Sequence, residues 1–173
     1  MSQGKHVDLG FGCMRLPLLR ADQPESFDYE KIERLFDVFL KKGFTYFDTA
    51  YTYHGYHGEE AVRKALVERH PRSSFELATK LPLRDFKDEQ DLERIFKEQL
   101  DHCGTEYFDY YLLHNMVPMY MRSVKSMMPL VLLLERRRRA KSARSACRSM
   151  ICRSFWMRFS RNMEICWTSS SFR

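Results

Sequence analysis

Between residues 9 and 114, β-rich runs alternate with amphipathic helices, and this alternation constrains the fold more than any other property of the chain. The β-rich runs fall at 9–16, 44–48, 75–80 and 107–114. Helical periodicity fills the intervals. In 28–42, Ile32, Leu35, Phe36, Phe39 and Leu40 recur at the spacing of one buried stripe. In 59–69 the inward positions are Val62, Ala65 and Leu66, and in 88–103 they are Leu92, Ile95, Phe96 and Leu100. Asp28 is placed to cap the first helix, while Gly43 and Gly104 suit left-handed stops. Strand and helix in strict turn imply parallel strands covered by helices, hence an α/β fold with no domain boundary before residue 115. The pattern alone does not separate a doubly wound sheet from a barrel.

Length narrows this further. The chain has 173 residues, against about 250 for a complete (β/α)8 barrel. At 44% hydrophobic and 14% aromatic content it is not a disordered polymer. Its net charge of +6 hides an asymmetry. Residues 1–120 carry 16 Lys and Arg against 21 Asp and Glu, whereas 121–173 carry 13 against 2. The longest apolar run, 127–134, is too short to span a bilayer, and the first residues lack the apolar stretch of a secretory signal. Five cysteines without a CxxC pair suit free thiols in a reducing, cytoplasmic setting, with no metal site expected.

Three successive β-rich runs end in a polar residue: Asp48, Lys80 and His114. Parallel α/β folds place their active sites at the C-terminal ends of strands, so these side chains are expected to converge on one rim. Tyr53, in the loop after Asp48, can fold over the same rim. A phenol is a poor acid at neutral pH, and a neighbouring ammonium favours its ionisation. In this grouping Asp48 would hold Lys80 charged and oriented, and His114 would donate a hydrogen bond to a substrate oxygen. Together they would protonate a carbonyl oxygen as negative charge develops on it.

The segments LGFGCMRLP, FDTAYTYHG, ATKLP and DYYLLHN resemble the aldo-keto reductases, in particular the bacterial branch that carries a ferredoxin-like C-terminal extension. The resemblance covers roughly residues 5–125. It implies a (β/α)8 TIM barrel, of which this chain would hold the first half. It also implies reduction of a small carbonyl substrate to an alcohol with NADPH or NADH. Matched motif by motif, the family's catalytic tetrad falls on Asp48, Tyr53, Lys80 and His114, with Tyr53 as general acid. The same match places Gly12, Met14, Arg15 and Asp48 against the nicotinamide. Any iron–sulfur cluster would belong to longer relatives and not to this chain. One departure is Tyr56, where the family pattern has glycine.

Beyond residue 125 the resemblance stops. Residues 126–173 are rich in Arg and Ser, contain no glycine and lack helical periodicity. The genetic code offers a reason. When the third base of each codon is read with the first two of the next, Met127-Met128, Met150-Ile151, Trp156-Met157 and Trp167-Thr168 are forced to encode Asp, and Met128-Pro129 to encode Ala. Permitted codon choices then spell YDALG, GKIR and LDFVQLQ, strings that resemble the family's continuation. The chain is therefore expected to have two parts: a reductase half-barrel over 1–125 and a basic, frameshifted tail over 126–173. As it stands it should be weakly active or inactive, and should self-associate through its open edge. The alternative is a non-catalytic fragment whose arginines, Arg136 to Arg139 among them, bind nucleic acid or anionic surfaces without specificity. No specific nucleic-acid or membrane partner is expected.

Overall fold

The computed structural model describes residues 9–85, 88–115 and the backbone of 147–150. Five strands form one sheet in sequential order: β1 (Gly10–Gly12), β2 (Tyr46–Asp48), β3 (Glu76–Pro82), β4 (Phe108–His114) and β5 (Cys147–Met150). Every neighbouring pair is parallel. The connecting helices are α1 (Tyr29–Lys41), α2 (Gly58–Val62) and α3 (Glu89–Cys103). This is the parallel α/β architecture that the alternation demands, and its strand order is that of a (β/α)8 barrel wall.

Local chemistry fixes the helix ends. The Asp28 carboxylate accepts the Lys31 amide at 3.1 Å, and Gly43 leaves α1 at φ +85°. The Asp88 carboxylate accepts the Asp91 amide at 2.9 Å, and Gly104 ends α3 at φ +62°. Between sheet and helices lies an aromatic core. Phe36 and Phe39 of α1 meet Phe47 of β2 edge-on at 5.0 and 5.2 Å, and Phe11 stacks on Phe47 at 5.7 Å.

Four features depart from the sequence reading. The run 9–16 is a strand only over Gly10–Gly12, after which Cys13–Arg15 form a 3-10 turn that carries the chain off the sheet. Leu35 is 42% exposed, because Ile32, Phe36 and Phe39 already fill the face of α1 turned to the sheet. The run 59–69 is an α-helix only to Val62 and continues as a π turn over Arg63–Val67. Finally, β5 lies inside the segment read as an irregular tail, and pairs Phe108 with Cys147 and Tyr110 with Ser149. The rest of 126–173, including Arg136 to Arg139, lies outside the described residues.

Candidate active site

Strand register brings three of the expected residues onto one face. Gly12 lies opposite Asp48, and Asp48 opposite Ala78. Lys80, two residues on, shares the face of Ala78 and lies opposite Leu112. His114, again two residues on, shares the face of Leu112. Each functional residue thus stands two positions further along its strand than the last, the stagger of tilted strands in a barrel wall. Lys80 is not the end of its strand, as the sequence suggested; β3 continues to Pro82.

Lys80 is the hub. Its ammonium donates to the Asp48 carboxylate, to the Thr49 carbonyl at 2.9 Å and to the Tyr53 hydroxyl oxygen at 2.9 Å. It also lies 4.7 Å from the Tyr53 ring centroid. The Tyr53 ring meets the His114 imidazole edge-on at 5.6 Å. Burial first, and then the Lys80 charge, hold the His114 imidazole below its usual range and so favour its neutral form. The Thr52 hydroxyl lies 3.4 Å from His114 Nδ1. All four residues therefore meet.

The loop that presents Tyr53 is wound in an unusual way. His54, Gly55 and Tyr56 follow one another at φ +51°, +61° and +76°. A tyrosine at that angle carries the cost of the left-handed region. Tyr56 thus adopts the backbone expected of a glycine, and its hydroxyl accepts from Arg84 at 3.3 Å. The His54 Nε2 accepts the Leu16 amide at 3.2 Å, which clamps the loop to the turn after β1. His54 is a structural tie here. Gly58 closes the loop, since a Cβ there would come within 2.8 Å of the Tyr53 Cβ.

Gly12, the last residue of β1, pairs with Asp48, and Met14 and Arg15 follow in the 3-10 turn. A Cβ on Gly12 would meet nothing within 4 Å, and Met14 is 60% exposed, so the rim is open there. Gly12 thus leaves open space next to Asp48, the carboxylate that holds Lys80. Cys13 between them is fully buried, and burial together with Asp48 pushes its thiol far up, out of the nucleophilic range. Among the described residues no cluster of three His, Cys, Asp or Glu side chains is placed to hold a metal, and no helix is long and apolar enough to cross a membrane.

The sequence reading missed Thr52 and the buried trio Glu59, Thr79 and Gln99. Thr52 directly precedes Tyr53, but nothing in its neighbours signals a contact with a residue 62 positions away. Glu59 sits in the first turn of α2, where an acidic residue reads as an ordinary exposed helix start.

A parallel α/β wall thus carries a carboxylate, an ammonium and an imidazole on one face of β2, β3 and β4, with a phenol from the loop after β2 against the ammonium. The profile of the aldo/keto reductase family matches residues 8–135, well over half of the chain, and the chain belongs to that family. Solved structures agree on the fold. A thermostable aldo-keto reductase in complex with the inhibitor epalrestat is 22% identical with a TM-score of 0.59, and the match covers 82% of this chain and 47% of that one. An aldo-keto reductase from Klebsiella pneumoniae in complex with NADPH is 22% identical with a TM-score of 0.55, covering 83% and 44%. The holo form of one from Bacillus halodurans is 24% identical with a TM-score of 0.53, covering 83% and 45%. The chain therefore spans less than half the length of these structures. No curated protein matches it by sequence.

Proposed function

We propose that the Asp48, Tyr53, Lys80 and His114 cluster is the proton-delivering part of a nicotinamide-dependent carbonyl reductase site. The observation that carries this reading is the 2.9 Å contact between the Lys80 ammonium and the Tyr53 hydroxyl, with Asp48 on the same ammonium. Lys80 donates to the phenol oxygen, so the phenol proton is free to point outward. The ammonium stabilises negative charge as that proton leaves. Asp48 fixes the ammonium beside the phenol. In this reading the Thr52 hydroxyl, 3.4 Å from Nδ1, donates to neutral His114, which is assigned the Nε2 tautomer and donates to the carbonyl oxygen of the substrate.

A bound NADPH or NADH would supply the hydride to the carbonyl carbon. In this chain Gly12, Met14, Arg15 and Asp48 would face its nicotinamide. The relative crystallised with NADPH supports that choice of cofactor. Grips on the ribose and phosphates would come from parts of the barrel beyond the described residues. The 173 residues by themselves are therefore proposed to turn over little or no substrate, because catalysis needs a positioned donor. A small aldehyde or ketone in the cytoplasm is the substrate class. The sequence continued in the offset frame should oxidise NADPH with a small aldehyde. Tyr53→Phe should lower that rate about 100-fold or more. Turnover that survives Tyr53→Phe unchanged would remove Tyr53 from the chemistry.

A further inference from the structure

Behind β3, on the side away from the rim, lies a second polar cluster. Glu59, Thr79 and Gln99 are fully buried and Tyr111 is 3% exposed. The Thr79 hydroxyl donates to Glu59 Oε1 at 2.6 Å, and Gln99 Nε2 donates to the same oxygen at 2.9 Å. Gln99 Nε2 also lies 3.0 Å from Thr79 Oγ1 and 3.1 Å from the Lys80 carbonyl oxygen. The Tyr111 hydroxyl donates to Gln99 Oε1 at 2.6 Å. His102 Nδ1 is 3.3 Å from Glu59 Oε2. Every member thus has a partner, yet a buried carboxylate is an expensive way to join a helix to a strand where apolar packing would serve.

Position in the chain suggests what the carboxylate does. Glu59 directly follows Gly58, the residue packed against the Tyr53 loop. Thr79 directly precedes Lys80, and Gln99 reaches the Lys80 carbonyl itself. Hydrogen bonds, unlike apolar contacts, fix direction and distance. We infer that Glu59 is a positioning residue whose buried carboxylate ties the loop carrying Tyr53 to the strand carrying Lys80, and so fixes the contact between phenol and ammonium. This rests on the proposed acid/base role of that contact. It adds a requirement the rim does not reveal, namely that the acid is aligned from the helix side of the sheet.

The test uses the full 173-residue chain labelled with 13C at the tyrosine Cζ. Tyr53→Phe identifies the Tyr53 resonance, and Lys80→Met defines its position when the ammonium is lost. Glu59→Gln and the near-isosteric Thr79→Val should each move the resonance toward the Lys80→Met position. A purely structural tie would lower the denaturation midpoint and leave the Tyr53 resonance of the folded protein where it was, and that result overturns the inference. If Glu59→Gln does not fold, Thr79→Val decides alone. No turnover is measured, so the outcome is separate from the reductase reading. Resonances that move as expected, in a continued chain without Tyr53-dependent turnover, would keep the tie and discard the reductase.

Discussion

His102 stacks on Tyr51 with ring centroids 5.9 Å apart while its Nδ1 faces the Glu59 carboxylate. The bond to Glu59 outweighs burial and raises the imidazole above its ordinary 6.5; Glu60 and Glu98 act in the same direction. A histidine with a raised folded value contributes stability that is fully present below 6.5 and is lost as pH climbs through the higher value. The difference in thermal midpoint between the wild-type chain and His102→Gln should therefore be largest on the acid side of 6.5 and should close in alkaline buffer. A difference that is flat with pH would mean that the pair contributes no ionic attraction. His54 and His114 behave oppositely, because burial holds both below 6.5. They withdraw stability as pH falls through 6.5, since the unfolded chain takes up those protons first. The comparison with His102→Gln isolates His102 from this opposing trend.

Among the elements, β3 and β4 are held at their base by one guanidinium. Arg72 lies between the Phe75 and Tyr107 rings, 4.9 and 3.9 Å from their centroids. It donates to Asp109 Oδ2 at 2.6 Å and to the Tyr107 carbonyl at 3.0 Å. Asp109 also accepts the Leu77 amide at 2.9 Å, so one carboxylate serves both strands. Asp109→Ala would leave a charge and a strand amide in want of an acceptor. It should cost about 3–5 kcal/mol, read from urea unfolding. A loss under about 1 kcal/mol, typical of exposed pairs, would show that this pair is solvated. The elements whose cause is local were the ones legible in the sequence. The cap at Asp28, the stops at Gly43 and Gly104 and the apolar stripe of α3 all operate within a few residues. The illegible parts depend on distant partners: Leu35 is left outside because Phe36 and Phe39 reach the sheet first, and Glu59 is buried because Thr79 and Gln99 await it. The grouping of Asp48, Lys80 and His114 was legible because each closes a β-rich run of the sequence, although β3 itself continues to Pro82.

For the molecule as a whole, β1 and β5 form the outer edges of the described sheet. Leu35 and Val38, 42% and 47% exposed, stand on α1, the helix that follows the β1 edge. Exposed strand edges beside apolar helix surface favour association. The isolated chain should sediment as a mixture of monomer and larger species that shifts with concentration. The double variant Leu35→Glu, Val38→Glu should move it toward monomer; a concentration-independent monomer in the wild type would refute the association. The basic segment calls for a different measurement, the nucleotide sequence of codons 126–173. Read two bases on, those codons should spell YDALG near the start and GKIR about ten residues later. Codons unable to do so would refute the frameshift.

The two-residue climb from Asp48 to Lys80 to His114 bears on how the site assembles. A slip of one residue in any strand pairing would swing a functional group to the helix side and bring a chain neighbour into its place. Misaligned chains would thus be chemically silent, and whatever reactivity these four groups acquire would be confined to molecules whose strands had mated correctly.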